Sequence, residues 1–534
     1  MNARSFVLFL ILAASACGRV TPVRELSCLP DIYPDYKEVT IPTNVAPLNF
    51  SWLGDNGSEG LSDTRCKLGV RVSQLFRDGC GRFSGTPCRL DVRCDAGEWQ
   101  VRGRKGLFSF SRRMWKKMVS ADEIEFTVLV LKDGEWLAYA PFKVYVSQDL
   151  IDPWLSYRLI FPGYETYNDM GIYQRNLESF DSRPVLKNRL TNGNCLNCHS
   201  YCNGNPEKML FHYRGVSGGT FINDCGALEK MNTKTDSTDG PFVYPNWHPS
   251  EGYVTFSVNK TFQNFIGGGD RIEVYDTVSD VVVYDVLGNR AFWSPLTKSP
   301  ERFETFPTFS PDGRWLYFCS AEAVKNLPDD YAEVKYALMR IAFNPEDGSF
   351  GDRLETVFDA PAIGKSVSFP RISPDGRWLA FTLHKYGNFS IWHRDADIWL
   401  LDLDRLGDSC EGGRNGVGGG GCTKEPSDCC AAWPATALNS DETESYHCWS
   451  SNGRWLVFSS RRDDGLFTRP YVAYIDTNGD ARKPFMLPQK NPKEYYEDLM
   501  YSYNIPELMT GPVTVPARTM AKVLRESPGK DVGL

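Results

Sequence analysis

The chain has 534 residues, of which 42% are apolar, 13% aromatic and 24% charged, with a formal net charge of -8. That length exceeds one ordinary hydrophobic core, so two or three domains or a repeat array are expected, and the composition is globular, neither disordered nor collagenous. No basic block interrupts the acidic balance, which excludes the electrostatic footprint of a nucleic-acid binder.

The N-terminus carries an export pattern. Arg4 gives a positive start, Phe6 to Ala14 is apolar but too short to span a bilayer, and Ala14, Ser15 and Ala16 are small residues ahead of Cys17 and Gly18. The segment resembles a bacterial lipoprotein signal, in which the Cys17 thiol is diacylglycerated and becomes the new N-terminus; Ala14 stands where Leu is preferred. The alternative is an ordinary cleaved signal peptide followed by a coincidental cysteine. The resemblance implies a signal peptide over 1–16, an anchor and linker over 17–32, and an exported envelope protein of a Gram-negative-type bacterium. Such a protein is held by lipid at the outer membrane, on its periplasmic face or at the cell surface. Two or three acyl chains exceed the one-chain threshold for stable attachment. No later stretch is long and apolar enough for a transmembrane helix.

Sixteen cysteines suit an oxidising compartment, with clusters at Cys66, Cys80, Cys88 and Cys94 and at Cys410, Cys422, Cys429, Cys430 and Cys448. Disulfides are expected among them, with connectivity open.

From residue 33 to 150, short alternating strands separated by turns are predicted, among them Glu38 to Ile41, Leu90 to Cys94 and Phe126 to Leu131. Val39 to Pro42 and Ala46 to Trp52 look like the opening strands of an immunoglobulin or fibronectin type III sandwich. Residues 151–240 read as a connecting segment, since Asp152 to Asn194 shows little clean periodicity.

Within that segment lies Asn194-Cys195-Leu196-Asn197-Cys198-His199. Cys-x-x-Cys-His is the attachment sequence of c-type haem: two thiols add to the porphyrin vinyl groups and the adjacent imidazole binds iron. Spacings of three and four residues place the three groups on one face of a helical turn. Three other readings compete: a simple disulfide, exchanging with Cys202; a redox Cys-x-x-Cys pair, which lacks a βαβ context; and a zinc site, which lacks a second ligand pair. For the sixth iron ligand, Met209 and His212 are near in sequence, with His212 favoured and Arg214 placed to meet a propionate; Met170 and His248 are further candidates. Met209 also reads as a core residue, and His248 as a variant turn residue. Gly215 to Gly219 matches the nucleophile elbow formally, but no βα alternation surrounds Ser217, so a glycine-rich turn is expected. His384 and His393 flank a long loop, with no further signal of metal binding.

Downstream, one phrase recurs at Tyr244 to Phe256, Phe306 to Phe318, Phe369 to Phe381 and Tyr446 to Phe458, with equal length and aromatic ends. Each reads as a β-hairpin whose turn is carried by Pro-Asp-Gly or Asn-Gly. Further strands follow at Asp280 to Val286, Tyr336 to Ile341, Asp397 to Leu403 and Tyr471 to Asp476. A blade of this kind cannot bury both faces alone, so blades stack around an axis. The first copy departs from the pattern, with His248 in place of serine and Gly252 one place late. Residues Gly407 to Gly421 read as a flexible insertion.

These repeats resemble the TolB-type, WD40-like β-propeller over about Tyr244 to Lys490. The family usually has six blades, so two degenerate ones are expected from Lys208 to Met231 and Tyr495 to Val515. The expected fold is all-β: a β-sandwich over 33–150, a haem-binding segment within 151–240, a propeller over 241–520 and a tail over 521–534. The whole resembles envelope lipoproteins that join such a propeller to a single c-type haem motif. That resemblance implies a lipid-anchored monohaem cytochrome: one covalent haem c on Cys195 and Cys198, His199 as proximal ligand, and one-electron exchange with a redox partner docked on the propeller. The alternative is a non-catalytic scaffold for an envelope protein or polymer, with the cysteine pair as a disulfide. Both describe a carrier or binder rather than a catalyst; a haem enzyme using the propeller mouth is a third reading.

Overall fold

The computed structural model describes residues 19–54, 86–162, 169–215, 218–234, 238, 240–264, 273–406 and 432–533. Cys17, Ser217, the insertion over 407–421 and Cys66, Cys80, Cys410, Cys422, Cys429 and Cys430 lie outside these residues. Among the described residues no helix is long and apolar enough to cross a membrane, and the nine cysteines are free thiols.

Two units are built almost wholly of strands. The smaller draws on 19–43, 47–148 and 488–498. Glu123–Lys132 is its central strand, pairing with Cys88–Cys94, Glu135–Ala138 and Phe142–Ser147. A second sheet joins Ile32–Tyr33, Phe50–Trp52 and Leu107–Phe108. The sheets meet through aromatic rings: Phe50 lies 6.0 Å from Phe126 and 5.9 Å from Phe142, in edge-to-face geometry that suits the ring quadrupoles. The alternating pattern of buried and exposed side chains in Phe142–Ser147 is what places these rings on one face.

The larger unit contains six sheets, antiparallel throughout except where Ala227–Asn232 pairs in parallel with Lys530–Asp531. Each begins or ends on one inner strand: β1 (Leu196–Tyr201), β2 (Phe242–Trp247), β3 (Arg302–Phe309), β4 (Ser366–Ile372), β5 (Glu444–Trp449) and β6 (Ser502–Met509). Strands β2 to β5 each open a four-stranded meander, in the order the repeats predict. Residues 151–240 do not form a connecting segment: Trp154–Ile160, Gly171–Asn176 and Ser182–Lys187 make one sheet, and β1 opens another with Lys208–Tyr213, Gly219–Asp224 and Ala227–Asn232. The sheet of Trp154–Ile160 receives its inner strand, β6, from the far end of the chain, in antiparallel pairing of Trp154 with Met509 and Ile160 with Ser502. The inner strands touch in cyclic order, β1 to β2 and onward to β6, which touches β1.

The repeated turn has a direct physical cause. In the second copy Ser310 Oγ accepts from Trp315 N at 3.0 Å, Asp312 Oδ1 accepts from Arg314 N at 3.1 Å, and Gly313 takes φ +72°. Ser373 and Ser450 do the same for Trp378 N and Trp455 N, each at 2.9 Å. Serine, Asp or Asn, and glycine are therefore each required by a turn that satisfies its own donors. In the first copy His248 takes over: Nδ1 accepts from Ser250 N at 3.1 Å while Nε2 donates to the Gly313 carbonyl at 2.9 Å, tying one turn to the next.

Candidate functional site

The inner strands share a defect. Each is bulged, and the bulge places one non-glycine residue at positive φ: Cys198 (51°), Tyr244 (50°), Phe306 (51°), Phe369 (53°), Tyr446 (53°) and Ile505 (48°). Positive φ at non-glycine residues is uncommon and costly, so six in register mark a conformation imposed by the architecture. Ring centroids of Tyr244 and Phe306 lie 4.5 Å apart, Phe306 and Phe369 4.2 Å, Phe369 and Tyr446 4.4 Å. Cys198 adds its thiol to this plug, where burial raises its pKa and the Tyr244 backbone donates to it.

Cavities lie on either side of the bulges. The larger, about 360 Å³, is lined by the residue two places after each bulge: Ser200, Asn246, Thr308, Arg371, Cys448 and Glu507. One polar position from every sheet thus faces the same space. Trp247, Trp449, His199 and His447 complete its wall. Burial pushes the Glu507 carboxyl up to about 8 even though it accepts from Tyr201 N at 2.8 Å and has Arg371 as a counter-charge. Burial also raises the Cys448 thiol to about 12 and lowers the His199 and His447 imidazoles to about 3. At neutral pH this mouth therefore presents a protonated carboxyl at Glu507, an unreactive thiol, two neutral imidazoles and one guanidinium, beside the Asp152 carboxyl group that accepts from Ser451 N and Oγ. It is equipped to bind a polar segment by hydrogen bonds, and it lacks an activated nucleophile.

The Cys-x-x-Cys-His residues are placed otherwise than the spacing predicts. They lie on and beside the strand β1, with no helical turn. Cys195 packs with Ile160 and Met170. Cys198 sits in the plug, and His199 lines the large cavity with its ring 5.9 Å from Tyr201. Both nitrogens of His199 are buried without a hydrogen bond of ordinary geometry. A porphyrin tethered by both sulfurs and ligated by His199 needs all three groups on one open face. Here they occupy three surroundings, and neither cavity is lined by Cys195 or Cys198, so the residues as folded do not fit that group. Cys195 and Cys198 are also not bridged to each other.

The expected sixth ligands are dispersed too. Met209 is fully buried in a core with Ile172, Tyr201 and Phe211, and the His212 imidazole lies 3.4 Å from Thr220 Oγ1, its pKa lowered to about 3 by burial. His248 serves the turn described above. Arg214 faces the second cavity, away from His199. Ser217 lies outside the described residues; the strands on either side of it, Lys208–Tyr213 and Gly219–Asp224, pair antiparallel. His384 and His393 rings lie 4.9 Å apart, and among the described residues no group of three or more potential ligands is arranged for a metal.

Sequence reasoning missed the ring of Ser200, Asn246, Thr308, Arg371, Cys448 and Glu507. A signal existed. Cys198-His199-Ser200-Tyr201 aligns with Tyr446-His447-Cys448-Trp449, and Ile505-Pro506 with Phe306-Pro307.

No protein-family model matches the chain. No curated protein matches it either. Among solved structures, a puromycin-hydrolyzing peptidase of Mycobacterium tuberculosis is 12% identical, with 69% of this chain and 52% of that one covered at a TM-score of 0.33. Prolyl oligopeptidase B of Galerina marginata is 9% identical, with 67% and 42% covered and a TM-score of 0.33. A DUF4784 family protein of Bacteroides caccae is 7% identical, with 71% and 95% covered and a TM-score of 0.27. The chain thus spans about half or less of the two peptidases it matches.

Proposed function

We propose that the larger unit is a six-bladed β-propeller of the TolB type that serves as a binding scaffold, with the 360 Å³ mouth as its contact site for a segment of an envelope protein or polymer. The observation that carries this reading is the convergence of one polar side chain from each of six bulged inner strands on a single cavity. Closure by β6 supports the blade count, since a strand from the other end of the chain completes the sixth sheet and the cycle of inner-strand contacts. The smaller unit is read as an immunoglobulin- or fibronectin-like sandwich on its two facing sheets. A lipid on Cys17 would hold the whole at the outer membrane, which Cys17→Ala tests by release into the soluble fraction.

The scaffold reading is tested by a photo-crosslinking residue at Asn246, in the mouth, and at Leu287, 89% exposed on an outer turn. A discrete adduct in cells from position 246 and none from 287 is expected. Equal yields from both, or none from either, would remove the mouth as contact site.

A second reading is favoured by the Cys-x-x-Cys-His spacing alone: a lipid-anchored monohaem c-type cytochrome that exchanges one electron with an envelope redox partner. It requires β1 to leave its sheet. Protein made with haem-attachment machinery, denatured in pyridine and reduced, decides it: a covalent c-type spectrum would displace the scaffold reading, and its absence leaves Cys195, Cys198 and His199 as parts of a blade.

A further inference from the structure

The second cavity, about 100 Å³, lies on the other side of the plug from the mouth just discussed. It is lined by Arg158 from the sheet of Trp154–Ile160, Arg214 at the end of Lys208–Tyr213, and Arg461 at the end of Trp455–Ser460. Three guanidinium groups from three sheets converge on a space holding roughly three water volumes. Arg158 and Arg461 are 8% and 2% exposed, so both charges lie where water screens them poorly.

The forks are fixed in place. Arg158 donates through Nη1 to Asn197 Oδ1 and through Nη2 to Asn504 Oδ1, the latter at 2.7 Å. Arg461 stacks 4.2 Å above the Trp392 ring and donates through Nη1 to the Leu466 carbonyl at 2.8 Å. Asn197 and Asn504 stand one place before the bulges of β1 and β6, so the ring architecture itself orients the Arg158 fork. The wall adds the Ser502 hydroxyl, while Thr261 and Thr468 donate theirs to Asp276 and to the Tyr503 carbonyl, and among the described residues that line the cavity none is acidic. Asp276, the nearby carboxylate that Arg214 influences, is fully buried and is held by Thr261, Asn259 and Asn388 at 2.6, 2.7 and 2.5 Å. Oriented guanidinium forks beside the Ser502 hydroxyl, in a cavity of this size, match the planar or tetrahedral oxygens of carboxylate and phosphate.

We infer that this cavity is an oxyanion-binding site, taking the carboxylate or phosphate end of a ligand whose remainder stays outside. It is independent of the contact site proposed for the opposite mouth. The test uses the full chain with inorganic phosphate and with acetate, each against sodium chloride at matched ionic strength, followed by calorimetry and thermal unfolding. Saturable binding of at least one anion and a raised melting temperature, both absent in chloride, are expected. Arg158→Gln should weaken binding at least tenfold; should it fail to fold, Arg214→Gln at the half-buried position reads the same loss. Glu507→Gln, in the other mouth, should leave anion affinity unchanged. Phosphate without acetate, or acetate without phosphate, identifies the ligand end. No saturable binding of either, or equal binding in the arginine variants, would overturn the inference, and neither result bears on crosslinking from position 246.

Discussion

Strands β1 and β3 have the same backbone and almost unrelated side chains. Both are bulged after the same turn of pleat, both place one residue at a φ of 51°, and both send the residue two places on into the large cavity. In β3 the residue at the bulge is Phe306, one of four rings in tilted and edge-to-face contact; in β1 it is Cys198, which the Cys-x-x-Cys-His spacing offers to haem. The lesson is that an inner strand of this ring specifies geometry at this position and leaves the side chain free. A motif that reads as chemistry can therefore also be the inner strand of a sheet.

The comparison is broken most severely by emptying the plug. Phe306→Ala or Phe369→Ala removes a ring fully packed against its neighbours and should cost about 3–5 kcal/mol, read by denaturant unfolding. If the loss is small, the rings do not hold the strands together.

Titration of Glu507 sharpens the difference between mouth and plug. Its pKa in the folded chain, about 8, lies above the ordinary carboxyl value, so its protonated form stabilises the fold below about pH 4.5 and that contribution is lost as pH rises through 8. Glu507→Gln should match the parent near pH 4.5 and exceed its stability on the order of 2 kcal/mol above pH 8, checked by unfolding across that range. The reverse trend would show that the carboxylate, and not the acid, is the form that fits.

Turn glycines give a smaller, paired effect. An added Cβ at Gly313 would meet His248 Nε2, which already bonds that residue's carbonyl, whereas Gly376 has open space around it at nearly the same φ. Gly376→Ala should cost about 1 kcal/mol for the left-handed backbone alone. Gly313→Ala should cost clearly more, and His248→Ala in the same chain should recover part of the difference, as calorimetric melting will read.

The smallest change is expected from Cys198→Ala. It deletes one sulfur from a buried site and should cost about 1 kcal/mol or less by denaturant unfolding. A larger loss, accompanied by loss of a covalent haem spectrum, would return the strand to electron-transfer chemistry.

The four strands with a Ser-x-Asp-Gly or similar turn were legible because the turn's hydrogen bonds demand those residue types. β1 and β6 carry no such turn. They satisfy only the bulge, which Cys198 and Ile505 meet without a recognisable phrase, and β6 is separated by nearly two-thirds of the chain from its partner Trp154–Ile160. That separation is why Asp152 to Asn194 looked unstructured: its strands are ordered by a partner more than three hundred residues away. The arginine cavity was illegible for a related reason. Arg158, Arg214 and Arg461 are isolated in sequence and are gathered only by the ring. The helical expectation for Cys195 to His199 failed because the spacing that suits a helical turn is also compatible with a bulged strand.

The late arrival of β6 sets an order on folding. Until residues 502–509 have left the ribosome, Trp154–Ile160 presents a bare hydrogen-bonding edge, and the ring has a gap where its seam should be. Contacts of such long sequence separation form slowly, so the incomplete ring should persist as a sticky intermediate that needs shielding before the seam zips shut.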